Sequence, residues 1–449
     1  MKRQSDIFFR KPSTNPYRLF ILLILIMGGV WLIRQIEQGN ITRPFTPTPT
    51  PTRVAQSYAL EGDAQFEAGK LDAAITAYQE ATRVDPTDAE VWSKLARIQI
   101  YSSAQLTTDD QQRDRLQEGL ASINKAAELA PDDSAVHATR AFVLNWNANS
   151  IIFGEEQAAD YLLEAEQEAV RALQLDNQNT LALAFYAEIL VDEQKWGQAE
   201  QYILQAVEKD NTLMDVHRIY AYVLESLGQY NQAIQEYDKA IAISPNLTFL
   251  HLRAGANYRR LAFGSNNDAT RTQLYESSLE YFAKAARLNE QLGIEDPIPY
   301  LSIAKTYSQE GEYFVAARNV QKALEIDPAN PDIYGQLGIV YFKSRNYEGS
   351  IPAFKCAIRG CTAEESCDGR GGCGPNDEPS EVIGLDLSGN TVVYYYTYGS
   401  VLSALSRPQE NYCEEAMTVM GEVRAVYSND RDIMGIVQAG EAICQSLGE

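Results

Sequence analysis

The stretch Leu227–Asn246, LGQYNQAIQEYDKAIAISPN, decides the fold. It reads as a helix end, a Gly-containing turn, an amphipathic helix and a proline stop. The segment Asp215–Glu225 before it reads as another amphipathic helix, so the two make one helix-turn-helix unit of 34 residues. His217, Tyr220, Ala221 and Leu224 share a face of the first helix; Ala233, Tyr237 and Ala240 share one of the second, and Pro245 ends it. Steps of three and four are the apolar stripe of a helix that a neighbour must cover. Small side chains at Ala221 and Ala233 let the two backbones approach, while the larger ones fill the space beside them.

The unit recurs from about residue 57 to the C-terminus. Ala74, Tyr78, Ala81 and Pro86 finish the first copy. Trp92, Leu95 and Ala96 open the next, which Gly119, Ile123, Ala126 and Pro131 complete. A later copy runs Tyr300, Ile303, Ala304, Tyr307, then Ala316, Val320, Ala323 and Pro328; the following one has Tyr334, Leu337, Gly338, Tyr341, then Ser350, Phe354 and Ala357. This pattern resembles the tetratricopeptide repeat, W-x2-L-G-x2-Y followed by A-x3-F, A and P at a period of 34. The resemblance covers about nine units and implies an all-α, right-handed α-solenoid, whose core is stacked because each repeat meets mainly its neighbours.

Successive stops at Pro86, Pro131, Asn177, Asn211, Pro245, Glu290 and Pro328 are 45, 46, 34, 34, 45 and 38 residues apart. An excess of 11 or 12 residues is about three helical turns. Three taller hairpins are therefore expected, with Thr108, Gly154 and Asn267 at or near the starts of their second helices. Long loops are the alternative.

The N-terminus is a different material. Leu19–Ile33, LFILLILIMGGVWLI, is free of charge and flanked by Arg18 and Arg34. It is short against the roughly 20 residues of a membrane span, but snorkelling arginines and Tyr17 extend it. A cleaved signal peptide has a similar apolar core; here no small-x-small site follows, and the first cysteine is Cys356. An uncleaved anchor is expected. Lys2, Arg3, Arg10, Lys11 and Arg18 precede it, so the N-terminus belongs in the cytoplasm and the repeats outside, at a bacterial cell membrane. The divisions are then a basic tail 1–18, an anchor 19–34, a Pro/Thr-rich linker 35–56, a solenoid 57–358 of about eight repeats, a Cys-rich inserted loop 359–390, and a terminal repeat with capping helix 391–449. Pro44–Arg53, PFTPTPTPTR, favours an extended spacer and is open to glycosylation.

The chain carries a net charge of −23, and residues 1–53 carry eight Lys/Arg against two Asp/Glu, leaving −29 for the remainder. Such a surface disfavours nucleic acid. All six cysteines lie near the C-terminus. Helices from Cys413 to Tyr427 and from Arg431 to Gln445, antiparallel about Ser428–Asp430, would bring Cys413 to Cys444. Of the three pairings open to the other four, Cys356–Cys361 with Cys367–Cys373 is the expected one; a zinc knot is the rival, but the spacings are not Cys-x2-Cys. The run Asp368-Gly-Arg-Gly-Gly is too poor in acids for a calcium loop. Glu381–Tyr396 is the one stretch that a strand could claim, although Val392–Leu405 also carries the repeat pattern.

His137, His217 and His251 fall where Trp92 and Tyr300 stand in other copies, so they read as packing residues. No phosphate loop, G-x-S-x-G or H-E-x-x-H is present. No enzyme activity and no cofactor are expected. In the resembling family the first helices line a concave groove for an extended peptide or partner helix. Carried onto this sequence, one face of each first helix gives Arg97, Phe142, Glu188, Arg218, Tyr222, Phe249, Arg259, Lys305, Phe342 and Tyr396. Aromatic groups beside Arg and Lys suit a peptide with apolar anchors and acidic or C-terminal carboxylates. The expected function is a protein-protein interaction scaffold; the alternatives are an assembly or regulatory subunit of an envelope polysaccharide or pilus export system, and a solute- or glycan-binding receptor.

Overall fold

The structure is a computed structural model that describes residues 15–37, 53–374 and 379–447. Two compact units emerge, Met1–Arg53 and Val54–Glu449. The described part of the first is a single helix, α1 (Pro16–Glu37). Its Pro16–Gln35 portion has a mean hydropathy of 2.0 and no buried share, which makes it long and apolar enough to cross a membrane. The basic residues Lys2, Arg3, Arg10 and Lys11 and nearly all of the Pro/Thr spacer lie outside the described residues.

The second unit is a row of helix pairs, nine among the described residues. They are α2 (Ala55–Glu67) with α3 (Leu71–Val84), α4 (Ala89–Ser103) with α5 (Asp109–Leu129), and α6 (Ser134–Asn147) with α8 (Glu155–Leu175), the one-turn α7 (Ser150–Phe153) lying between the last two. There follow α9 (Thr180–Asp192) with α10 (Trp196–Lys209), α11 (Met214–Ser226) with α12 (Tyr230–Ile243), and α13 (Thr248–Phe263) with α14 (Asp268–Leu292). The row ends with α15 (Ile298–Glu310) and α16 (Tyr313–Ile326), α17 (Pro331–Lys343) and α18 (Tyr347–Ile358), the short α19 (Ala363–Arg370), then α20 (Val392–Leu405), α21 (Cys413–Tyr427) and α22 (Arg431–Ser446). Each helix packs on its pair-mate and on the next pair. First helices also touch the first helices beyond them: α4 with α6, α6 with α9, α9 with α11 and α13 with α15.

Local chemistry sets these bounds. Side chains of Asp88, Asp133, Asn179 and Asn330 accept N–H groups that the starts of first helices leave free. Inside a pair, small meets large. A Cβ on Gly338 would lie 2.6 Å from the ring of Phe354, so the ring fills the volume that glycine leaves. The three taller hairpins are helical, with Thr108, Gly154 and Asn267 as the residues that precede α5, α8 and α14.

The added height reaches across to later pairs. Asn330 donates to Thr107 Oγ1 at 2.5 Å, and Ser388 and Asn390 donate to Asp109 at 2.9 and 2.7 Å. Nearer the start, Asn246 Nδ2 donates to the carbonyl of Glu67 at 3.1 Å. Gly69 beside it has φ +80°, and a Cβ there would stand 2.2 Å from the carbonyl oxygen of Asn246. Only glycine fits both demands. The first pair is thereby held against the fifth and sixth.

Two features differ from the sequence reading. Glu381–Tyr396 forms no strand; its contribution is one isolated bridge, Val382 with Cys361, before α20 begins at Val392. The segment after Cys361 contains α19, started by a capping box in which Thr362 and Glu365 satisfy each other's N–H groups. Three disulfides join Cys356 to Cys361, Cys367 to Cys373 and Cys413 to Cys444. All six thiols are thereby used, which removes the zinc-knot alternative.

Candidate functional site on the inner face

Each pair presents its first helix to the inner face, and one position on that helix fixes the turn before it. Trp92 Nε1 donates to the carbonyl of Pro86 at 3.1 Å, and Tyr334 Oη to that of Pro328 at 3.1 Å. His137, His217 and His251 use Nε2–H in the same way, on Pro131, Asn211 and Pro245, at 2.9, 2.9 and 3.1 Å. Every acceptor lies six residues back. The histidines are thus ring donors that close a helix end, as an indole or phenol does elsewhere. His217 also meets Glu236 through Nδ1 at 2.7 Å, whereas Nδ1 of His251 is buried without a partner, and burial holds that ring below the usual histidine range.

From α2 to α13 the inner face is filled by its own side chains. Tyr101 stacks on Phe249 at 5.3 Å and on Phe66 at 6.3 Å between ring centres, and tilts against Phe142 at 5.4 Å; Phe142 stacks on Phe185 at 4.7 Å. The Arg218 guanidinium lies 5.5 Å from the Tyr101 ring and 5.6 Å from that of Phe142. It also forms two bonds to Glu188, at 2.9 and 2.8 Å. Burial alone would lower the pKa of Arg218; Glu188 and then Asp215 more than reverse this, so the cation is held firmly. Arg97 reaches Asp215 at 3.6 Å, and Tyr222 donates to Asp192 at 2.6 Å. Of the ten groove residues inferred from sequence, Phe142, Glu188 and Arg218 meet one another directly, while Arg97, Phe249 and Tyr222 are engaged by Asp215, Tyr101 and Asp192. Phe142, Glu188 and Arg218 are buried at 1%, 5% and 7% exposure, which leaves a partner no surface on them. As groove positions these three are corrected to core. Tyr101, which the sequence reading passed over, is the centre of the plug; it stands one turn beyond Arg97 on the same helix, which is the signal that could have found it.

Beyond α13 the inner face opens. Arg259 donates to the carbonyl of Ser302 at 3.1 Å and lies 5.2 Å from the Phe282 ring. Burial and then Arg260 bring it down to about 10. Lys305 is exposed, yet partial loss of surrounding water and the charges of Arg259, Lys343 and Arg260 lower its pKa. Phe342 and Tyr347 meet at 5.7 Å and form one wall of a cleft of about 580 Å3, completed by Val401, Ala404, Ile436 and Ile443. Tyr396 lies one turn before Ser400, which also lines it. Another cavity, about 470 Å3, lies between Leu71 and Leu106 on one side and Ile294 on the other. It joins the first two pairs to the turn between α14 and α15, far along the row.

Comparison with known proteins agrees with this architecture. The TPR repeat family matches residues 62–99 and 296–344, and the tetratricopeptide repeat family matches residues 219–247. These segments carry tetratricopeptide repeats. Protein FlbA of Caulobacter vibrioides is 25% identical over 206 residues, which is 46% of this chain; the chain spans about a third (32%) of that protein's length. Among solved structures, the human IFIT1 dimer with m7Gppp-AAAA has a TM-score of 0.52 at 16% identity, covering 92% of each chain. The human IFIT1 dimer with PPP-AAAA has 0.51 at 14%, covering 89% of this chain and 92% of that one. At these identities the likeness is one of fold.

Proposed function

We propose that this repeat protein is a non-catalytic scaffold or adaptor, held in a bacterial cytoplasmic membrane by α1 with its repeats on the outer side. It takes up a segment of a partner protein on the part of the inner face beyond α13. The observation that carries this reading is the contrast along that face. The first half is closed by mutually satisfied side chains, while the second offers an apolar cleft whose walls Phe342, Tyr347, Ile436 and Ile443 remain 37–41% exposed. Three disulfides support the outward side, since such bonds persist in oxidising compartments.

The test is a photo-crosslinking amino acid at Tyr347 or Tyr396 in intact cells, read by mass spectrometry. One recurring protein adduct, absent when the same group replaces Trp196 on a second helix, is the expected result; no adduct at either site overturns the reading. An export-system subunit is the same reading with the partner belonging to that system. A solute or glycan receptor is less favoured, because the cleft is lined mainly by apolar side chains. Nucleic acid is disfavoured by the −29 charge beyond residue 53, despite the IFIT1-like fold. For topology, a thiol-reactive polyethylene glycol should fail to shift the protein from unreduced cells and shift it after reduction.

A further inference from the structure

We infer that pairs seven to nine form an arm that swings on the turn at residues 293–297, and that the tip of the tall hairpin α4–α5 is the latch that holds this arm closed. The motion is internal to the repeat unit, so it stands or falls apart from the partner-binding reading above.

The buried apolar side chains divide at that turn. One cluster ends at Ala254 on α13 and the other begins at Leu301 on α15, while Phe282 and Ala285 of the intervening α14, although buried, join neither. The second cluster ties together helices from α15 to α22, with the bridges Cys356–Cys361 and Cys413–Cys444 inside it, so the arm moves as a body. Arg259 links α13 to α15 through a polar contact, its donation to the carbonyl of Ser302 at 3.1 Å. The turn itself can bend. Gly293 has φ +66°, a left-handed conformation that ends α14, and Pro297 stands at the start of α15. Beside it lies the cavity of about 470 Å3, so α3 and α4 face the turn across a gap rather than through close packing. A few residues at the ends of elements are what absorb the dihedral change when a domain opens or closes. The seam at the first pair is different. There Gly69 lies against the carbonyl of Asn246 and Tyr101 stacks on Phe249, so that half stays fixed.

The arm meets the fixed half again at the start of α5, through polar groups. Asn330 Nδ2 donates to Thr107 Oγ1 at 2.5 Å, while Ser388 Oγ and Asn390 Nδ2 donate to the two oxygens of Asp109 at 2.9 and 2.7 Å. Hydrogen bonds at such a seam exchange for bonds to water at small net change, which makes the latch releasable. Acids crowd the same place. Asp332 of α17 accepts from Tyr394 of α20 and from Gln336, each at 2.7 Å, and Asn330 also donates to Asp327 at 2.8 Å. Arg113, one turn along α5, is taken up by Asp110 and the carbonyl of Ile152. Burial, and with it the charge of Asp109 across the latch, holds Asp332 above the usual carboxylate range. The closed arm therefore favours a protonated Asp332. Its hold is complete below the ordinary carboxylate pKa and weakens as pH rises, when Asp109 and Asp332 carry like charges on opposite sides of the latch.

The experiment uses the full chain in detergent micelles, with its native disulfides intact and spin labels at Gln117→Cys on α5 and Gln438→Cys on α22, both exposed positions. Pulsed electron spin resonance reads the distribution of distances between the labels. One population is expected at pH 5, and a second, longer one at pH 8. Asp109→Ala should raise the longer population about threefold at pH 8 and make it visible at pH 5. Asn390→Ala removes one latch contact from an exposed side chain and should act in the same direction, which decides the matter if Asp109→Ala lowers the melting temperature. Asp332→Asn keeps an acceptor for Tyr394 without the charge and should hold the single short distance at pH 8. One distance at both pH values, unmoved by Asp109→Ala and Asn390→Ala, overturns the arm. A longer population that those two variants leave unchanged overturns the latch. Neither result alters what the Tyr347 crosslink reports about a partner.

Discussion

Arg218 and Arg259 are both arginines on first helices, and what surrounds each decides its role. Arg218 is enclosed, bidentate to Glu188 and flanked by two rings. Removing one member of such a pair leaves a buried charge alone, so Glu188→Gln should cost about 3–5 kcal/mol in denaturant unfolding, with no gain in partner binding. For the same reason Arg218→Glu cannot test the inner face; it would test folding. Asp296 makes a second prediction at this scale. It is 4% exposed and accepts from the Ile298 N–H at 2.9 Å and Asn289 Nδ2 at 3.1 Å. Burial raises it to about 6 from 3.8, against those hydrogen bonds. The folded state then holds the proton more tightly than the unfolded one. Stability is fully present below pH 4 and falls as pH rises towards 6, by about 3 kcal/mol at 1.36 kcal/mol per unit. Asp296→Asn keeps the shape without the charge, and Asn289 Oδ1, buried without a partner, can accept the new amide once the Asn289 side chain turns. The variant should be more stable than the parent at pH 8 and equal to it at pH 4, by denaturant titration at both.

At the scale of elements, the pairs follow from pattern and the differences among pairs from caps and insertions. The run Thr362–Glu365 is a legible helix start that glycines nearby obscured, and so α19 reads from sequence as loop. The capping helix α22 has one disulfide to α21, Cys413 to Cys444, across 31 residues. On chain-entropy grounds a loop of that length contributes about 3–4 kcal/mol. In Cys413→Ala/Cys444→Ala, hydrogen exchange should speed across α21 and α22 and remain unchanged from α2 to α12. If exchange rises uniformly, the bridge is not local.

For the whole repeat unit, two large apolar clusters matter, one spanning Ala59 to Ala254 and the other Leu301 to Cys444. Two of the three disulfides, Cys356–Cys361 and Cys413–Cys444, belong to the second, and Cys367–Cys373 lies between them in sequence. Stacked repeats unfold as coupled neighbours rather than as one block. Denaturant should therefore give two transitions, and reduction should move only the one reported by the C-terminal helices. Clasps such as Asn330 to Thr107 and Ser388 to Asp109 join the two clusters. Asp109→Ala should separate the transitions further. With −29 beyond residue 53, salt should raise the melting temperature by screening self-repulsion.

The helix pairs, their taller members and the apolar segment at α1 were determined by sequence, because each is written in local spacing: Tyr237 four residues after Ala233, Thr108 before an acidic first turn, fifteen apolar residues without a charge. The antiparallel approach of Cys413 and Cys444 follows from helix lengths in the same way. Which inner-face residues stay open was decided only by tertiary structure. Phe142 and Phe342 both stand on first helices, five and eight residues after the ring that closes the helix start, but Tyr101, itself stacked on Phe249 148 residues on, packs over the first, whereas the second stays 37% exposed. Local pattern fixes which way a side chain points; how far the row of pairs curls fixes what it meets, and that curl is summed over many small packing angles no single repeat records.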